Sequence, residues 1–127
     1  MVRRSFISVF FLSVACLLPS TTISQTAATA PYDTRLNRLA EVLGSVHYLS
    51  NLCEEPSNQW RDAMQNILSV ESPAPNRRAD LIASFNRGYR SFNSVHQTCT
   101  DQARQLNLGY VQEGQSIAAE ITARYGE

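Results

Sequence analysis

Residues 81–106 read LIASFNRGYRSFNSVHQTCTDQARQL, and their apolar positions recur at intervals of four and three residues. This rhythm is typical of the inward face of an α-helix that packs in a bundle. It predicts a third helix that begins at Asn76 and breaks at Asn107–Gly109, because asparagine and glycine favour a helix C-terminus. The predicted inward positions of this segment are Leu81, Phe85, Gly88, Phe92, Val95, Cys99, Ala103 and Leu106.

The segments on either side predict further helices. Thr34 can cap a first helix that ends near Cys53, before Pro56. A shorter second helix begins at Ser57, and the sequence SPAPN at 72–76 forms a rigid turn. No segment alternates with a period of two, so the predicted fold class is all-α, a small antiparallel bundle of three to four helices. The fourth helix would turn inward Val111, Gly114, Ile117, Ala118, Ile121 and Tyr125.

Gly88 lies on the inward side of the third helix. A glycine in a helix interior costs about 1 kcal/mol relative to alanine, so its presence there indicates that another helix approaches closely. The helical register predicts that Leu39 or Leu43 of the first helix fills the notch and that Gly114 lies too far away. On this interpretation alanine at position 88 would be nearly neutral, whereas leucine would force the helices apart.

The outward side of the same helix carries a polar cluster that is the candidate interaction face. Arginine and tyrosine are favoured at protein-binding hot spots, which is the reason for this hypothesis. A solvated helix surface without a partner is the alternative. The residues of this face are Asn86, Arg87, Tyr89, Arg90 and Asn93.

The first thirty residues have the pattern of a secretory signal peptide. A basic head at Arg3 and Arg4 precedes an uncharged apolar run at 5–18, and a polar tail ends in small residues. The run is shorter than the roughly 20 residues that cross a bilayer. We therefore predict a signal peptide at 1–30, a helical domain at 31–127 and a periplasmic location.

The cleavage position is left open between two sites. Cleavage after Ala30 follows an A-x-A pattern but places Pro31 directly after the cut, and cleavage after Ala28 is the alternative. A lipid anchor on Cys16 is not expected, because Ser13 stands where a lipobox requires leucine.

Removal of the signal peptide leaves Cys53 and Cys99. A lone pair of cysteines in an oxidising compartment predicts a disulfide. The alternative is a metal site that includes His47 and His96, but His47 and Cys53 diverge around a helix, whereas zinc needs converging ligands. We therefore predict a disulfide and no metal, with the first and third helices parallel so that the two cysteines lie level.

Composition and the absence of known motifs exclude several classes of function. Apolar residues make up 43% of the chain, which is typical of a globular protein. From Pro31 onward, eleven acidic residues and nine arginines give a net charge of −2, unlike a nucleic-acid-binding domain. The sequence contains no phosphate-binding loop, H-E-x-x-H, C-x-x-C or G-x-S-x-G motif. We expect neither an enzyme nor a cofactor.

Three motifs carry a family resemblance. FNRGYRSF at 85–92 with Cys99 downstream, YVQEG at 110–114 and RYG at 124–126 resemble an uncharacterised family of small exported proteins of alphaproteobacteria, mainly rhizobial. The resemblance implies an envelope location and supplies no catalytic residues that could be transferred to this sequence. The resulting hypothesis is a non-enzymatic periplasmic or envelope-associated interaction or accessory module without an integral membrane span after signal cleavage. Its expected partner is another envelope protein or component. The alternative is a carrier of a small apolar ligand, with a pocket between helices near Gly88.

Overall fold

The computed structural model of the protein describes residues 29–126, and this range contains four α-helices and no strand. They are α1 (Asp33–Cys53), α2 (Gln59–Glu71), α3 (Pro75–Asn93) and α4 (Asp101–Tyr125). The predicted all-α bundle is confirmed. Within the described range, no helix combines the length and apolar character needed to cross a membrane. The signal-peptide prediction falls outside the described residues except for its last two positions.

The first helix is the centre of the bundle. Eleven residues of α1 are buried, and they lie all around the helix, including polar ones such as Ser45 and Ser50. Each of the other three helices packs against α1, and α3 makes the most extensive contact. A helix buried on all sides belongs to the core, and the amphipathic helices around it supply one inward face each.

The helix directions follow from which ends meet. Asp33 at the start of α1 contacts Arg77 at the start of α3, and Tyr48 near the end of α1 packs on Tyr89. These pairs show that α1 and α3 run parallel, as the sequence predicts. In α4 the order is reversed: Arg35 near the start of α1 pairs with Glu120, whereas Ser50 near its end bonds Asn107, so α4 runs antiparallel to α1.

The predicted helix break at Asn107–Gly109 is wrong. The chain leaves the helix at 94–100 instead, and α4 runs through 107–109 without interruption. The side chain of Thr100 accepts a hydrogen bond from the backbone N–H of Ala103 (3.1 Å), which caps the new helix. Asp101 adds a negative charge in the first turn, where the helix dipole favours it.

Asn107 does not end a helix but connects α4 to the end of α1. Its side chain is buried against α1, where its oxygen accepts from the Ser50 hydroxyl (3.2 Å) and its amide donates to Glu54 (3.1 Å). Gly109 lies on the exposed side of α4 and adopts no left-handed conformation. These tertiary hydrogen bonds keep α4 helical through a sequence that resembles a terminus.

Because the helix breaks at a different place, several residues predicted to face inward do not do so as predicted. Val95 lies in the loop and is 70% exposed, whereas Ala103 is buried in α4 rather than in α3. Ala118 and Tyr125, predicted to face inward, are exposed. The predictions for Leu81, Phe85, Gly88 and Ile117 are confirmed, since all four are buried.

The Cys53–Cys99 disulfide is present, with the two Cα atoms 5.0 Å apart. It joins the C-terminal end of α1 to the loop just before α4. The predicted pairing is confirmed, but Cys99 lies outside any helix, so its predicted place deep in the third helix is wrong. The disulfide therefore closes one end of the bundle.

The close approach at Gly88 involves backbone atoms. A Cβ at Gly88 would lie within 3.0 Å of the carbonyl group of Glu41 and 2.9 Å from Ser45 Oγ. A Cβ at Gly44 would collide in the same way with the carbonyl group of Phe85. Two glycines thus let α1 and α3 touch backbone to backbone.

The Gly44–Gly88 crossing corrects two predictions. The atoms in the notch belong to the α1 backbone and to Ser45, not to Leu39 or Leu43. Alanine at position 88 cannot be nearly neutral, because the obstacle is a carbonyl group that no side-chain rotation removes. The prediction that Gly114 is not the mate of Gly88 is correct, and Gly44 takes that role.

Candidate functional site

An apolar groove opens where α2 and α4 both pack on α1 without closing on each other. Its volume is about 300 Å³, within the size range of small-molecule sites. We call it the α2–α4 groove. Its floor comes from α1 and consists of Leu39, Val42, Leu43 and Val46. Its walls are Trp60, Ala63, Asn66 and Ile67 from α2, and Tyr110, Val111, Gly114, Gln115 and Ala118 from α4.

The groove continues along the bundle. A second compartment of about 220 Å³ shares Leu39, Asn66, Ile67 and Ala118 with the first and extends to Val70 and Ile121. The α2 wall from residue 60 to residue 71 covers eleven helical steps, or about 17 Å at the rise of an α-helix. The α2–α4 groove is therefore long and follows the helix axes.

The chemistry of the larger compartment is neutral. None of its lining residues is an arginine, histidine, aspartate or glutamate, and the amides of Asn66 and Gln115 are its main polar groups. Such a lining can bury apolar groups. The arrangement favours binding of an apolar molecule.

Trp60, in the wall of this groove, has a buried polar atom without a hydrogen-bond partner within the described range. Its indole Nε1 is buried and has no hydrogen-bond acceptor among the described residues. An unsatisfied buried donor costs about 1–3 kcal/mol, so it requires an explanation. Trp60 is also the only tryptophan of the sequence, which makes it a fluorescent reporter inside the groove.

The residues of the candidate interaction face on α3 do not all point the same way in the structure. Asn86, Arg90 and Asn93 are exposed on its outer side. Tyr89 is half-buried, with its ring 5.2 Å from Tyr48 and therefore turned toward α1. The exposed remainder is a polar surface with a tyrosine behind it.

Arg87 also faces α1 rather than standing free. Its guanidinium donates to Glu41 (3.0 Å) and to Ser84 (3.2 Å). The side chain is still more than half exposed, so this pair contributes at most about 1 kcal/mol. Arg87, Asn86 and Arg90 line a shallow polar depression on the outer side of α3.

His47 is buried in an aromatic cluster between α1 and α3. Its ring lies 5.9 Å from the rings of both Phe85 and Tyr89. Burial lowers the pKa of His47, and the positive charge of Arg61 lowers it further. The neutral imidazole packs between helices and lies 3.3 Å from the side-chain amide of Asn51, which indicates a structural role.

A half-buried ion cluster lies at the other end of the bundle. Arg77 donates to Asp33 (2.7 Å) and Glu71 (2.6 Å), and the guanidinium lies over the Tyr32 ring. The hydrogen bond to Asp33 is the main reason that the pKa of Arg77 is raised. The charges are mutually satisfied, so the cluster ties α1 to the α2–α3 turn. Among residues 29–126, no three histidine, cysteine or acidic side chains come together as metal ligands.

The notch at Gly88 holds no pocket, since the backbone of α1 fills it. The apolar pocket of the alternative hypothesis lies instead on the far side of α1, between α2 and α4. Sequence reasoning missed this location. The only signal was the small residues Ala63, Gly114 and Ala118, whose side chains leave space between the two outer helices.

One comparison with known proteins gives a match. A family model described as "Protein of unknown function (DUF2385)" matches residues 31–125, nearly the whole described chain. No curated protein and no solved structure shows significant similarity to the chain.

Proposed function

We propose that this chain, which belongs to the DUF2385 family, is a non-enzymatic accessory module of the cell envelope that acts by binding another molecule. The signal-peptide pattern supports export, and a disulfide between the two remaining cysteines fits an oxidising compartment such as the periplasm. The family is of unknown function, so the proposal rests on the chain's own geometry.

The α2–α4 groove is the observation that carries the proposal. The four helices bury a core around α1, yet they leave an apolar space of about 300 Å³ open at the surface. Closing it would take only larger side chains at positions such as Ala63 and Ala118. An apolar space that persists beside a well-packed core is the usual form of a ligand or partner site.

Ala118→Glu should abolish binding in the groove without disturbing the fold. Ala118 is exposed and lines both compartments, so glutamate there places a carboxylate against any bound apolar molecule. Burial of an unpaired charge is costly, and we expect Nile red to bind at least about tenfold more weakly. The measurement is a fluorescence titration with this dye.

Ala119→Glu is the matched control. Ala119 is also exposed, lies one position further along α4 and lines neither compartment. We expect it to bind the dye as the wild type does. Equal binding by the wild type and both variants would show that the groove is not the binding site.

A carrier of a small apolar ligand is the second candidate function. The volume and neutral lining of the α2–α4 groove favour it. The two candidates differ in the bound molecule: an accessory module contacts an envelope protein or component, whereas a carrier encloses a small ligand.

The α3 face is the proposed surface for an envelope protein, and Arg90→Ala tests it. Arg90 is exposed, so its removal leaves the Arg87–Glu41 pair intact. If Arg90 is a hot spot, capture of a partner from envelope extract should fall about fivefold or more. Arg78→Ala, another exposed arginine of α3, is the control. Equal capture by both variants and the wild type would exclude a recognition role for Arg90.

A further inference from the structure

We infer that the α2–α4 groove binds the aliphatic tail of a free single-chain amphiphile, such as a fatty acid or fatty alcohol. This inference rests on the second candidate function, the carrier of a small apolar ligand, and specifies the ligand class. Three features of the groove carry it: its depth, its length and its lack of charge.

The depth of the groove excludes a broad partner. The four floor residues of α1 are each at most 8% exposed, although they border the open space. An α-helix with its side chains is about 10 Å wide and could not reach a floor that is so nearly covered. A slender ligand can enter where a protein surface cannot.

The length and volume fit one chain. The two compartments hold about 300 Å³ and about 220 Å³ and share a border at Ile67 and Ala118. Together they follow α2 for about 17 Å at the rise of an α-helix. An extended aliphatic chain has this shape, whereas a compact polycyclic molecule or a lipid with two chains does not.

The charges around the groove explain why the tail, and not the head group, is recognised. The larger compartment has no ionised side chain in its lining. At the far end of the groove, Glu71 borders the smaller compartment, but its carboxylate is paired with Arg77. A head group therefore finds no free charge, and binding depends on the apolar area that the tail buries.

The indole of Trp60 does not add a polar contact for the ligand. Its ring belongs to the wall of the larger compartment, but its Nε1 is covered by protein atoms, so an oxygen in the open groove cannot reach it. Alcohols and acids are therefore expected to bind alike, in agreement with the absence of charge recognition.

Trp60 fluorescence measures the binding directly. The protein, produced by export in a bacterial host, is titrated with octanoate, decanoate, dodecanoate and dodecanol as monomers. We expect affinity to rise about fourfold per added methylene until the groove is full, from the transfer free energy of a buried CH₂. Dodecanol and dodecanoate should bind within a few-fold of each other. Dodecanoate brominated in its chain should quench Trp60.

Other occupants give different results. Phosphatidylcholine vesicles should leave Trp60 emission unchanged, and a change would assign the groove to bilayer lipid instead. If light scattering over a dilution series shows that the protein dimerises, and no amphiphile has an effect, the groove would be assigned to a second copy of the chain. A flat dependence on chain length would overturn the inference. If Nile red binding still responds to Ala118→Glu in that case, the proposed binding function stands; if it does not, both fail.

Discussion

Gly88→Ala should strongly destabilise the protein. The new Cβ would lie inside 3.0 Å of the Glu41 carbonyl group, so α3 must move away from α1. Overpacking typically costs 1–3 kcal/mol, and an immovable backbone obstacle places this variant at or above about 3 kcal/mol. The gain in helix propensity, about 1 kcal/mol, offsets only part of this cost. Thermal melting should fall by roughly 10 °C or more.

Gly44→Ala and Gly109→Ala complete the test. Gly44 faces the Phe85 carbonyl group across the same crossing and should behave like Gly88. Gly109 has no atom within 4 Å of its would-be Cβ, so alanine there should raise stability by up to about 1 kcal/mol. Similar melting temperatures for all three variants would contradict the Gly44–Gly88 crossing.

Removal of the disulfide should have the second largest effect. The Cys53–Cys99 bond closes a loop with a sequence separation of 46 residues. The chain-entropy estimate for such a loop is about 4 kcal/mol, against a typical total stability of 5–15 kcal/mol. The double variant Cys53→Ser/Cys99→Ser should therefore fold only marginally at 37 °C.

Chemical denaturation of the oxidised, reduced and double-variant proteins measures this contribution. The hydrogen bonds of Asn107 with Ser50 and Glu54, and the bond from the Tyr48 hydroxyl to the His96 carbonyl, remain at the same end of the bundle. They should preserve helical circular dichroism at low temperature. A loss of less than about 1 kcal/mol would show that these contacts, rather than the disulfide, hold α4 in place.

Local periodicity made the helical class predictable, up-and-down winding the parallel direction of α1 and α3, and the cysteine count the disulfide. The burial of Leu81, Phe85 and Gly88 follows from their spacing alone, because a helix buries positions three and four apart. The pairing of Cys53 with Cys99 follows from the small number of cysteines. Neither inference required knowledge of which helices touch.

The helix break could not be placed by spacing, since two terminal signals compete. Asn107 and Gly109 favour a C-terminus, whereas Thr100 and Asp101 favour an N-terminus. The choice depends on the buried hydrogen bonds of Asn107 with Ser50 and Glu54, which are invisible until α4 is docked. Tertiary contacts thus override a local preference.

The α2–α4 groove could not be predicted from the sequence, for a similar reason. A groove is defined by two helices that do not meet, and periodicity reports only which face of each helix is apolar. Ala118 illustrates this, because it continues the apolar stripe of α4 yet lies exposed at the groove. Gly44 was likewise hidden inside a helix whose whole circumference is buried.

Chemical-shift mapping by NMR with dodecanol as the ligand most directly tests whether the protein binds through the α2–α4 groove. The single indole N–H of Trp60 and the amides of Ala63, Val111 and Ala118 should shift in a saturable way, while those of Asn86 and Asn93 on α3 should stay in place. Shifts centred on the α3 face, or no saturable shift at all, would contradict binding in the groove.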